Sequence, residues 1–277
     1  WTASGKLVDI TDTLVGEMKL DPGSKGSKLP QSNIGMLVDI DADGLVDAIY
    51  SDGLGKVWHG RAIGPGKWIS ELIFSADQPI TGALAAIDLQ GDGELSLVVG
   101  GSHLHLLIPS PVGWQDVAQD RGLKLPVNIA VQHLTPGDFD GDGLMDLAVV
   151  LFTCNEKSRL YVFLNRGDGH FEEAAEALGL KYKGTLWAVL VSDVDGDGHS
   201  DVLALAESCD PNAGNAYYRN RGFPNQGSRY ELTPLPPMFL SPKLAGGTPM
   251  GGTVGDVDND GRFDYALSEI GLRELRM

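Results

Sequence analysis

Apolar residues in this chain come in short, bounded runs, without the three-and-four spacing of an amphipathic helix. Met36-Leu-Val38, Leu84-Ala-Ala-Ile87 and Ala188-Val-Leu-Val191 each lead into an acidic, glycine-bearing stretch. A second run follows that stretch, as in Leu147-Ala-Val-Val-Leu-Phe152 and Val202-Leu-Ala-Leu-Ala206. Runs of about four to eight residues, rich in strand formers and closed by turn residues, read as buried strands. The pattern predicts pairs of antiparallel strands joined by acidic hairpins. With 37 Gly, 15 Pro and no long helical-period segment, the fold class expected is all-β.

The acidic stretch is one nine-residue phrase, most complete as Asp138-Phe-Asp140-Gly-Asp142-Gly143-Leu-Met-Asp146. It recurs at 39–47, 193–201 and 256–264, and in a worn form at 88–96. The four full copies keep Asp at positions one, three, five and nine and Gly at six. So many carboxylates on alternate positions of a tight turn suit a hard cation that takes six to eight oxygens, with position seven adding its backbone carbonyl. The candidate calcium ligands are Asp39, Asp41, Asp43, Leu45 and Asp47 in the first copy and Asp138, Asp140, Asp142, Leu144 and Asp146 in the third. The fourth offers Asp193, Asp195, Asp197, His199 and Asp201, and the fifth Asp256, Asp258, Asp260, Arg262 and Asp264. In the worn copy Asp88, Gln90, Asp92 and Glu94 remain, with Ser96 at position nine, so four strong sites and one weak or vacant site are expected.

A helix-loop-helix calcium hand requires a bidentate Glu at position twelve. Here that position holds Tyr50, Val99, Val149, Ala204 and Leu267, inside the second apolar runs. The loop is therefore expected to join two strands. Copies recur every 49 to 63 residues, which is the period of a four-stranded propeller blade. In the third unit the expected strands are 131–134, 147–152, 159–165 and 171–174, and in the fourth unit strands three and four are 216–220 and 230–233.

Charge adds a boundary. The chain carries a formal net charge of -17, which argues against nucleic-acid phosphate as a partner. Half of its 38 acidic residues lie in the five phrases, so the imbalance has a local cause. No apolar stretch is long enough to cross a bilayer as a helix, and no membrane insertion is expected. The first residue, Trp1, is not Met and no signal-like segment follows it, so the start of the chain is expected to have been removed. Reliance on simple Asp loops suits calcium-rich surroundings outside the cytosol, placing the chain as extracellular, periplasmic or cell-surface.

Gly-Asp-Val-Asp-Asn-Asp-Gly from Gly255, with Tyr161-Val-Phe-Leu-Asn165 and Arg166-Gly-Asp-Gly-His-Phe171, resembles the FG-GAP or VCBS repeats of integrin α-subunit propellers and of proteins related to cartilage acidic protein. The resemblance implies a β-propeller with calcium in the hairpin between strands one and two, often used in adhesion or recognition. Integrin propellers have seven blades and this chain has five phrases. The segment 6–11 parallels 114–118 and 171–175, each followed by Gly-containing exits, so it reads as a fourth strand that would complete the last unit and close a five-bladed ring over a single domain, 1–277. The alternative is a piece of a longer propeller.

The function expected is a calcium-stabilised extracytoplasmic module that recognises a protein or glycan. The alternatives are a propeller-based hydrolase or lyase acting on polysaccharide, or a structural domain of a larger assembly. No nucleophile elbow, phosphate loop or zinc-hydrolase helix motif is present, so no catalytic residue is assigned. Recognition is expected at the end away from the calcium hairpins, as in the integrins, with Tyr182, Trp187 and Asn212 at or near that face. Cys154 and Cys209 each fall eight residues after a ninth-position Asp, so they occupy equivalent places in neighbouring units, as a disulfide or as two free thiols. His103 and His105 alternate on an expected outer strand and read as surface histidines, Lys19, Lys25 and Lys28 as a solvated linker, and Trp58, Trp68 and Trp114 as packing between blades.

Overall fold

A computed structural model describes residues 35–64, 67–80, 83–125, 129–151, 160–206, 214–222, 228–235, 248–256, 258, 260 and 263–270. Among the described residues it is all-β apart from one helical turn. Sheet one holds β1 (Gly35–Val38), β2 (Asp47–Ser51), β3 (Lys56–Gly64) and β4 (Lys67–Ser75). Sheet two holds β5 (Leu84–Asp88), β6 (Leu95–Gly100), β7 (Leu104–Ser110) and β8 (Gly113–Asp116). Sheet three holds β9 (Val131–Gly137), β10 (Asp146–Leu151), β11 (Tyr161–Asn165) and β12 (Phe171–Glu173). Sheet four holds β13 (Leu186–Ser192), β14 (Asp201–Ala206), β15 (Ala216–Asn220) and β16 (Tyr230–Thr233), and β17 (Thr248–Gly255) pairs with β18 (Asp264–Ile270). Each four-stranded sheet is an antiparallel meander in chain order.

The continuous apolar runs of the second strands follow from the way the sheets stack. Strand side chains alternate between two faces, and in β10 both faces meet a core. Leu147, Val149 and Leu151 pack with Val98 and Leu106 of sheet two, while Ala148 and Val150 pack with Val189, Val202 and Ala204 of sheet four. The second sheet repeats this arrangement, with Leu97 and Val99 joining Ile49 and Val57. In β14, Leu203 and Leu205 turn to the last pair of strands, against Leu267 and Val254. A strand buried on both sides has no polar face to show, and every residue of β10 and β14 is buried.

First strands follow one another in space as in sequence. β1 packs beside β5, β5 beside β9, β9 beside β13 and β13 beside β17. Thr135 of β9 ties one such junction, its hydroxyl donating to the Val189 carbonyl at 2.8 Å.

The expected strands 216–220 and 230–233 coincide with β15 and β16, and those of the third unit shift by a few residues at their ends. His103 precedes β7, which is the third strand and not the outer one, and only His105 is in it. The last sheet shows two described strands. The stretches 1–34 and 271–277, where its remaining strands were expected, lie outside the described residues. One element was not anticipated: α1 (Ala175–Leu178), a single turn ended by Gly179 in the left-handed region, φ 94°. It sits where strand four leaves its sheet.

Candidate metal centres

Each acidic phrase joins a first strand to a second, so antiparallel geometry puts all of them at one end of their sheets. Turns between third and fourth strands return to that same end. Loops between second and third strands lie at the other.

Position one organises the hairpin by itself. Asp138 accepts the Gly141 N–H at 2.6 Å through one oxygen and the Gly143 N–H at 3.0 Å through the other. Asp193 does the same with Gly196 and Gly198, both at 2.8 Å, and Asp39 takes Asp43 and Gly44 at 3.1 and 2.9 Å. Even the worn hairpin keeps this knot, Asp88 holding Gly91 and Gly93 at 2.8 Å each. Position five then accepts the N–H of position seven, as Asp142 does from Leu144 at 2.8 Å. This leaves the loop carbonyls and the third-position carboxylates uncommitted by these bonds.

So tight a turn needs the left-handed backbone twice, at position six and at position four. Gly143 and Gly141 have φ of 89° and 74°, and their counterparts in the fourth hairpin 87° and 75°. In the first hairpin position four is Ala42, at φ 57°. Among the described residues it is the non-glycine held in this region, where a Cβ costs roughly 1–2 kcal/mol. Ala42→Gly should therefore stabilise the chain by about 0.5–1 kcal/mol after the larger chain entropy of Gly is subtracted. Urea titrations of the two proteins, where an unchanged or lower midpoint would contradict this, are the measurement.

Position nine does more than its place in the phrase suggests. Asp47, Asp146 and Asp201 are fully buried, and each reaches across to the backbone of the third strand. Asp47 accepts the Ala62 N–H at 2.8 Å, Asp146 the Asn165 N–H at 2.7 Å and Asp201 the Asn220 N–H at 2.7 Å. The second oxygen of Asp146 takes the Phe139 N–H at 2.8 Å, and that of Asp201 takes Val194 at 3.2 Å and the Tyr217 hydroxyl at 2.7 Å. Asn165 and Asn220 complete the join. Their amides donate to the position-eight carbonyls of Met145 and Ser200, and their oxygens accept the Gly167 and Gly222 N–H groups of the next turn. Asn165 also donates to the Leu89 carbonyl at 2.8 Å, and Arg229 to the Asp140 carbonyl, so hairpins two and three are each gripped by the following sheet.

The carboxylates have the spacing of a cation shell. Oxygens at about 2.4 Å from calcium lie no more than about 4.8 Å apart. Ligand atoms of Asp39, Asp41 and Asp43 meet that bound, as do those of Asp138, Asp140 and Asp146, of Asp193, Asp195 and Asp197, and of Asp256, Asp258 and Asp260. The worn hairpin forms no such group among the described residues. Electrostatics agree with a site built for positive charge. Burial pushes the Asp146 carboxyl up to about 7 against its two backbone hydrogen bonds, with Asp140 and Asp142 adding repulsion, and burial and then Asp142 raise Asp140 as well. Arginines at the ends of the third strands partly answer this charge: Arg219 in β15 lies 2.5 Å from Asp195 and 3.1 Å from Asp197, and Arg166, just past β11, lies 3.5 Å from Asp140.

Sequence reasoning missed the double duty of position nine, the asparagines and the apolar plug at position two. The signals were present. Ile40, Leu89, Phe139 and Val194 repeat the plug, the first three of them buried, and Asn165 and Asn220 each fall nineteen residues after a ninth-position Asp. His59 was also missed as a partner of Asp47, at 2.9 Å.

For the recognition face the expectations divide. Tyr182 has its ring buried in the core between sheets three and four, and its hydroxyl donates to the Gly214 carbonyl at 3.1 Å. Trp187 is half-buried in β13. Asn212, Cys154, Cys209 and Arg262 lie outside the described residues. Two grooves open at the hairpin end, one of about 710 Å³ between hairpins one and two beside Trp114, and one of about 250 Å³ between hairpin two and the turn at 167–169.

Residues 138–204 and 193–267 match the model of the FG-GAP-like repeat. No curated protein matches the chain. Among solved structures it is similar to the crystal structure of the V. cholerae biofilm matrix protein Bap1, at 15% identity and a TM-score of 0.47, over 84% of this chain and 34% of that one. The chain thus spans about a third of that protein's length. Hairpins three, four and five lie within the residues that match this repeat.

Proposed function

We propose that the chain is a calcium-stabilised binding module of propeller form that recognises a protein or glycan outside the cytosol. The observation that carries this is the recurrence of three-carboxylate groups within one cation's reach in four of the five hairpins. Asp39, Asp41, Asp43 and Asp47 and their counterparts in hairpins three to five would hold the ions, with position-seven carbonyls completing each shell. The successive packing of first strands and the FG-GAP-like repeats support a ring, which the strand expected at 6–11 would complete within a single domain of 1–277. Dependence on Asp-rich loops supports surroundings where calcium is abundant.

The worn hairpin should bind most weakly, because Gln90 and Ser96 stand where carboxylates stand elsewhere and affinity follows ligand charge. Crystals grown at limiting calcium should fill hairpin three before hairpin two. The reverse order would contradict the ligand assignment.

Recognition is proposed for the loops between second and third strands, around 153–159 and 207–215, which vary in length and chemistry while the hairpins do not. Once glycan or protein arrays yield a ligand, alanine substitutions in those loops should weaken it without lowering the melting temperature. Loss of binding in Trp114→Ala, at the hairpin-end groove, with the loop variants unaffected, would reverse the assignment of ends.

A further inference from the structure

The four complete sheets allow one position to be compared directly. Opposite the residue two places after position nine, the third strand carries His59 facing Ile49, Leu106 facing Val98, Val162 facing Ala148 and Tyr217 facing Leu203. Tyr217 uses it to hydrogen-bond Asp201, and Leu106 and Val162 offer nothing polar. His59 alone of these four places a nitrogen ligand beside a hairpin's carboxylates.

The surroundings are those of a coordination site. His59 is 7% exposed and Asp47 0%, with Nε2 at 2.9 Å from one carboxylate oxygen of Asp47. The other oxygen is held by the Ala62 N–H at 2.8 Å, which fixes the carboxylate's orientation. Asp41 brings a third ligand atom, and the three lie within 4.8 Å of one another. Asp41 and His59 both line the 710 Å³ groove, together with Ile40, Ser110 and Trp114, so the group is open on one side. Calcium takes oxygen, whereas a neutral imidazole with two carboxylates suits a borderline cation of the zinc class, which binds such sets with one position left for water or a ligand.

We propose that the first hairpin binds a zinc-class divalent cation through His59, Asp47 and Asp41, with its remaining position facing the groove. This rests on the reading of the hairpins as cation sites and separates the first from the oxygen-only others. Asp41 also belongs to the Asp39, Asp41 and Asp43 group, so zinc and calcium compete there.

Equilibrium dialysis of tag-free protein against calcium, with and without zinc chloride, tests it. The expected result is one zinc per wild-type chain at the cost of one calcium. His59→Tyr, which copies the fourth sheet, should lose that zinc by more than the roughly ten- to hundredfold typical of losing an outer-shell partner, and should keep its calcium in both conditions. His59→Gln serves if the Tyr variant does not fold, as judged by its melting transition in calcium. No zinc on the wild type, or equal zinc on wild type and variant, overturns the proposal. Absence of calcium from both proteins would instead strike the calcium reading, and the zinc stoichiometry is read separately.

Discussion

Asp201→Ala should destabilise the chain by on the order of 3 kcal/mol or more, in calcium and in chelator alike. The side chain is fully buried and accepts the Asn220 N–H, the Val194 N–H and the Tyr217 hydroxyl. Removing it leaves two buried donors and a half-buried one without their acceptor, and each buried group costs roughly 1–3 kcal/mol, less whatever a water in the new space restores. For a chain of this size, about 2–4 °C of melting temperature is lost per kcal/mol. Asp195→Ala is the contrast, because its carboxylate is tied to the exposed Arg219 and not to buried backbone. That variant should melt near wild type in chelator and below it in calcium. Equal losses for the two variants in chelator would mean that position nine has no structural duty apart from the ion.

Removing calcium from the wild type is expected to have the larger total effect. An ion bound only by the folded chain stabilises it by about 2.7 kcal/mol when its concentration is a hundred times the dissociation constant. Even two sites so filled would add on the order of 5 kcal/mol, or roughly 10–20 °C. Scanning calorimetry with excess chelator should show that fall, and calcium added beyond the chelator should reverse it. Burial, with Asp140 and Asp142 adding repulsion, pushes the Asp146 carboxyl up to about 7 in the ion-free state, and a bound cation would offset that repulsion. An unchanged transition in both directions would sink the calcium reading.

What was legible in the sequence was local. Alternation within an element and glycine-rich turn chemistry depend on neighbours a few residues away, which is why β15 and β16 fall where they were expected. Strand pairing is not local. His59 meets Asp47 through the register of β2 with β3, and Asp201 meets Asn220 across a loop whose length varies between units. Ala42 gave no sign of its left-handed backbone, because alanine carries no preference for it and only comparison with Gly141 and Gly196 reveals the requirement. The burial of Tyr182 was hidden for another reason. An aromatic residue in a connecting loop suggested a contact surface, yet the ring packs into the core with Leu178 of α1, a turn too short for periodicity to announce.

Because alternate side chains of β10 belong to different cores, its two faces answer to different neighbours. Ala148 and Val150 can drift in step with sheet four while Leu147 and Val149 hold their fit to sheet two, since neither pair touches the other's partners. Such a strand works as a double-sided joint with independently adjustable sides. A lineage built on joints of this kind can lengthen one unit or remodel its outer loops without renegotiating the whole stack, and the phrase spacing, stretching from 49 to 63 residues along this one chain, is the trace that such freedom would leave.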